Sequence, residues 1–118
     1  MTTPLELLQF AESLVGVSEV SDRTAASRAY YAAYHACRDK YTTLEKREGA
    51  GMHRSFIDGL IDSNISQDRG IGYMLDSLHR MRIKADYKLS SEFSTANAIE
   101  VTNGAGRVIE KVNSAPVL

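Results

Sequence analysis

From Arg23 to Leu44 the chain contains neither glycine nor proline, and alanine recurs at positions 25, 26, 29, 32, 33 and 36. Alanine gives up no side-chain entropy on entering a helix, and without either breaker nothing interrupts one. The run therefore predicts one long helix over 23–44, whose Tyr30, Tyr31, Tyr34 and Tyr41 supply large aromatic surface for a core or a dimer interface. This is the longest element that the chain encodes, and the rest must pack around it.

Apolar spacing predicts four further helices. Pro4 suits a first helical position and is followed by Leu5, Leu7, Leu8, Ala11, Leu14 and Val15 on one face. The segment from Gly16 to Asp22 reads as a turn in which Ser21 or Asp22 caps the long helix. After an exposed loop expected over Glu45–Gly51, helical periodicity returns at Met52, Phe56, Leu60 and Ile61. It returns again, beyond the polar break Ser63–Gly70, at Ile71, Met74, Leu75, Leu78 and Met81. A turn over Lys88–Ser94 leads to a last helix, capped by Ser94 and carrying Ala98, Val101, Val108, Ile109 and Val112. Gly104 and Gly106 weaken it by up to about 1 kcal/mol each or permit close packing. Alternating strand patterns are lacking, and short connections favour antiparallel neighbours. The expected fold is thus all-α, a single domain over 1–118 built as an up-and-down bundle of four main helices plus a short additional one.

Composition narrows the function classes. With 43% hydrophobic and 25% charged residues, the chain of 118 residues resembles ordinary globular proteins and not disordered ones. It has no apolar run long enough for a membrane span and no secretory leader, so a cytoplasmic location is expected. Cys37 is the only cysteine, which excludes an internal disulfide and makes a thiolate metal site a poor reading; buried filler is the expectation. A formal net charge of −1 gives no global attraction for nucleic acid, so any RNA must meet a local basic patch or a groove between two copies.

Chemistry concentrates on the long helix. His35 stands seven positions after Arg28, which brings them within about 20° of one azimuth, two turns apart. Asp39, four residues on, stands where its carboxylate can accept a hydrogen bond from His35 and hold its tautomer. Between them, Ala32 leaves a concavity and Tyr31 offers a ring to a base or a hydroxyl to a phosphate. The set suits metal-independent RNA cleavage. His35 would serve as general base or acid toward a ribose 2′-OH, and Arg28 would stabilise charge on the phosphoryl oxygens. Taken alone, a His beside an Asp is more often a satisfied surface residue, and an Arg on an alanine-rich helix more often salt-bridged.

Three further features wait beyond this helix. His53 stands near a helix start, where it serves either a phosphate or a capping or surface role. Arg82 pairs with an acid of the bundle or lines an RNA path, while Asp86 and Tyr87 cap and pack at a helix end. Arg80, Arg82 and Lys84 alternate, so they cannot all face one way.

The run from Ser27 to Ala36, SRAYYAAYHA, resembles the signature helix of HEPN-domain proteins, a superfamily of small helical bundles. His53 with Phe56 close behind is similar to that family's next element, and Arg82-Ile83-Lys84-Ala85-Asp86-Tyr87 to its Arg-x-x-Ala-Asp-Tyr motif. The likeness covers most of the chain. Many such domains are metal-independent ribonucleases of toxin–antitoxin, CRISPR and phage-defence systems, with an Arg, four to six intervening residues and then a His as the active motif; six residues lie between Arg28 and His35. The resemblance implies a homodimer whose paired helices form the site, with Arg28 and His35 catalytic, Tyr31, Asp39, Arg82 and His53 in support, and neither metal nor cofactor. The products would carry 2′,3′-cyclic phosphate ends. It also keeps an alternative open, a non-catalytic nucleotide- or partner-binding module paired with a cognate antitoxin, for example a nucleotidyltransferase. Ala29 and Cys37 motivate that alternative, because the toxin subgroup carries a polar residue and a tyrosine at those places.

Overall fold

The computed structural model describes residues 1–42 and 51–114. Five helices follow one another in these residues, with no strand: α1 (Pro4–Leu14), α2 (Glu19–Lys40), α3 (Met52–Ile61), α4 (Ser66–Tyr87) and α5 (Thr95–Ser114). The all-helical expectation holds. Three of them are long, at 22, 22 and 20 residues, and two are short, at 11 and 10.

Local chemistry explains the ends. Pro4 opens α1 behind Thr3, whose hydroxyl accepts from the Glu6 amide while the Glu6 carboxylate accepts from the Thr3 amide, each at 3.1 Å. Helix α2 begins earlier than its glycine-free run suggests, because Ser18, and not Ser21 or Asp22, is its cap, accepting from the Ser21 amide at 3.1 Å. Ser21 and Asp22 instead fasten the turn before them. The Ser21 hydroxyl donates to the Leu14 carbonyl, and buried Asp22 accepts from the Gly16 amide at 2.8 Å and from the Thr95 hydroxyl at 2.7 Å. Gly16 sits at φ 88°, a conformation that side chains resist.

At its other end α2 stops at Lys40, short of Leu44. Leu44 and the loop expected at 45–50 lie outside the described residues. Helix α4 starts at Ser66, so the break expected over Ser63–Gly70 ends at Ile65 and Gly70 lies inside the helix. Ser94 caps α5 as expected, in a reciprocal pair with Asn97.

Helix α2 is the axis of the core, packed against α1, α4 and α5. Its alanines at 25, 26, 29, 32, 33 and 36 are buried, and their small size lets the neighbouring helices approach. Val101, Ala105, Val108, Ile109 and Val112 of α5 meet Leu8 and Ala11 of α1 and Ile71, Leu75 and Leu78 of α4 in one cluster. Each large apolar side chain buried there contributes about 1.5–3 kcal/mol. Gly104 realises the close packing foreseen for it: a Cβ would stand 2.8 Å from Leu78 Cδ2, whereas one at Gly106 would meet Leu8 at an ordinary 3.7 Å.

Helix α3 is placed differently. It lies tight on α4 at Gly72, where an added Cβ would be 2.9 Å from the Ile61 amide nitrogen and the Leu60 Cβ. Toward α2 no pair of Cα atoms comes within 8 Å, and the interval is filled by rings. The radius of gyration is 14.0 Å, close to the roughly 13.5 Å expected of a compact body this long. Among the described residues no helix is long and apolar enough to cross a membrane.

Candidate functional site

The interval between α2 and α3 holds the most concentrated chemistry in the molecule. Tyr30, Tyr31 and Tyr34 project from adjacent turns of α2, and all three histidines of the chain gather on them. The His53 ring lies 4.1 Å from that of Tyr34 and 5.6 Å from those of Tyr30 and Tyr31. His79, on α4, lies 5.3 Å from Tyr30 and stacks on His53 at 5.9 Å and 13°. His35 stands 6.3 Å from Tyr31 and 5.8 Å from Tyr34. The Tyr30 hydroxyl is 2.8 Å from His53 Nδ1, a hydrogen bond that leaves Nε2 of that ring without a partner among the described residues.

Two guanidinium groups flank Tyr31. That of Arg28 lies 4.7 Å from the ring centroid and that of Arg82 5.1 Å, both within range of a cation–π contact. Arg82 also donates to the Tyr31 hydroxyl at 2.7 Å. Its Nε faces Asp86 Oδ2 at 2.8 Å as an ion pair without hydrogen-bond alignment, and Ser27 donates to the same carboxylate at 3.0 Å. Arg82 thus has the acidic partner foreseen for it, one helical turn away, while its neighbour Arg80 turns outward to Asp76. Arg28 differs. It makes a long 3.5 Å contact with Ser27 Oγ and has no carboxylate partner among the described residues.

Of the residues singled out from sequence, Arg28, Tyr31, His35, His53 and Arg82 therefore share one site. Asp39 shares only its edge. It lines a shallow depression with His35, Thr2, Thr3, Pro4 and Leu7, and among the described residues no hydrogen bond joins it to His35. Exposed on the surface of α2, its carboxylate is not drawn to the ring. Sequence reasoning missed His79, Tyr30 and Tyr34. His79 carried a signal, standing three residues before Arg82 and hence on the same side of α4. Ala29 and Cys37 are both fully buried in the core, so their apolar character follows from packing. Burial pushes the Cys37 thiol up to about 12, consistent with its role as filler.

The electrostatics are one-sided. Burial depresses the His53 pKa below the ordinary histidine value, and the fields of His79, Arg82 and His35 push it the same way. Burial also depresses His79, helped by Arg54 and Arg82 and opposed by Asp76. Asp76 is itself engaged by Arg54 at 2.6 Å and Arg80 at 3.2 Å; although burial pushes its carboxyl up, these partners outweigh it and hold the group low. Burial raises Tyr30 and Tyr34, which keeps both hydroxyls protonated. Among the described residues no three His, Cys, Asp or Glu side chains are grouped to hold a metal ion.

Compared with models of protein families, with curated proteins and with solved structures, the chain matches none.

Proposed function

We propose that the chain is a metal-independent RNA endonuclease of the HEPN type, a cytoplasmic homodimer in which each α2 presents Arg28 and His35 to a shared cleft. The five helices would then correspond to that family's bundle of four main helices with a short additional one. The observation that carries this reading is the setting of Arg28: a guanidinium without a carboxylate partner among the described residues, seated on Tyr31, with His35 exposed against the same ring. A cation so placed is available to a phosphodiester.

His35 would take the proton of a ribose 2′-OH as the oxygen bonds to phosphorus. The P–O5′ bond then breaks, the leaving oxygen receives a proton from an imidazolium, and a 2′,3′-cyclic phosphate remains. Arg28 would hold the phosphoryl oxygens as charge gathers on them. A second copy brings a second Arg28 and His35, concentrating positive charge that a chain of net charge −1 lacks.

Single-stranded or transfer RNA incubated with the purified protein in EDTA should be cut, leaving cyclic phosphate ends. His35→Ala and Arg28→Ala should stay folded by circular dichroism and lose cleavage by about a hundredfold or more. Equal cleavage by wild type and His35→Ala would sink the reading. Intact RNA together with a protein co-purifying in fixed ratio would favour the alternative, a binding module held by an antitoxin-like partner.

A further inference from the structure

Behind Tyr31 lies a second cluster that this cleavage chemistry does not use. His53, His79 and Arg82 are half-buried, come from two helices, and converge on the tyrosine face of a third. The three are linked in space: Arg82 bonds the Tyr31 hydroxyl, the Tyr31 ring meets the His53 ring edge-on, and His53 stacks on His79. Neither histidine has a carboxylate partner among the described residues, and Asp76, whose field favours a charged His79, is already bonded to Arg54 and Arg80.

Two further observations point to an anion as the ligand of this cluster. The Tyr34 hydroxyl, on a ring packed against that of His53 in a residue only 5% exposed, has no hydrogen-bond partner among the described residues, a costly state for a buried hydroxyl unless a ligand satisfies it. Helix α3, with His53 at its second position, follows Gly51 as its cap, and among the described residues no side chain accepts from its first amides.

We propose that His53, His79 and Arg82, with the Tyr34 hydroxyl and the start of α3, form a phosphate-binding subsite separate from the Arg28–His35 pair. Its ligand is a phosphate group, either the phosphodiester of a nucleic acid or a free phosphate monoester. The subsite requires no cleavage, so it stands or falls apart from the endonuclease reading.

A pH dependence follows from its surroundings. The groups facing the two imidazoles are Tyr30, Tyr31, Tyr34 and His35 of α2, Arg54 of α3, and Asp76 and Arg82 of α4. Burial and neighbouring cations depress both histidines and so favour their neutral forms. A bound anion favours the charged forms, so binding takes up protons and tightens as the pH falls from neutrality.

The chain's three histidines give three separable imidazole signals in an NMR titration of the intact wild-type protein. Inorganic phosphate, added at constant ionic strength, should saturably raise the pKa of His53 and His79 by about one unit while His35 moves less. His79→Gln should weaken phosphate binding about tenfold without abolishing folding. A 2′-deoxy dinucleoside monophosphate, which cannot be cleaved, forms the second arm. The same shifts with it assign the subsite to a phosphodiester, whereas shifts with inorganic phosphate alone assign it to a monoester. If His53 and His79 stay put with both probes, or His35 alone responds, the subsite does not exist.

Discussion

Arg23 reads in the sequence as one more charged residue near the start of a helix, yet it is 7% exposed. Its guanidinium donates to the carbonyls of Lys84 (3.2 Å), Ala85 (3.0 Å), Lys88 (3.3 Å) and Ser91, and lies 5.5 Å from the Phe93 ring. These carbonyls are at the end of α4 and in the turn that follows, where backbone amides satisfy only part of their capacity: Lys84 and Lys88 also accept from the Lys88 and Ser91 amides. A cation there also meets the negative end of the helix dipole. Arg23→Met should therefore destabilise the protein by about 3 kcal/mol, read as a lowered urea midpoint, and Arg23→Lys by about half as much because an ammonium lacks the planar fork. A midpoint unchanged in Arg23→Met would refute the role. Nothing local reveals this residue, since every one of those bonds reaches about sixty positions along the chain.

At the scale of the element, two glycines in α4 have opposite meanings. Gly70 faces open space, with nothing within 4 Å of an added Cβ, so Gly70→Ala should gain up to about 1 kcal/mol from helix propensity alone. At Gly72 the same methyl would strike the backbone of Ile61, and Gly72→Ala should lose about 2 kcal/mol despite the same propensity gain. Paired thermal melts measure both changes, and a stabilised Gly72→Ala would show that α3 does not sit where described. Gly70 and its polar neighbours look like a break although they lie inside α4, whereas Gly72, within the expected helix, owes its small size to the close approach of α3. The opposite end was plainer: Ser94 with Asn97 is a short-range device, and it caps α5 as its sequence implies.

For the whole molecule, acid should unfold the protein in two stages. His53 and His79 have depressed pKa values in the fold, so below the ordinary histidine value of about 6.5 the unfolded chain binds more protons than the native one. Their contribution is complete above that pH and is lost as the pH falls through the native values. Asp76, also depressed, contributes above the ordinary carboxylate value of about 3.9 and is lost in stronger acid. The urea midpoint should fall from pH 7 to pH 5, and His53→Gln together with His79→Gln should flatten that first stage. A wild-type midpoint constant over this range would contradict the environment described for the histidines.

What the sequence by itself determined is the set of helices and the shared face of Arg28, His35 and Tyr31. Both depend on interactions within a few residues: backbone propensity, capping, and the 3.6-residue turn. Burial of Cys37 was legible for a similar reason, since a lone thiol on an alanine-rich helix has little other use. Only the tertiary structure decided that, among the described residues, no hydrogen bond joins Asp39 to His35 and that Arg82 meets Tyr31. It likewise brought His53 and His79, 26 positions apart, to within 5.9 Å of each other. Those placements depend on how far apart α2, α3 and α4 come to rest, which the bulk of three tyrosines and the absence of a methyl at Gly72 settle together through packing, and which no periodicity records.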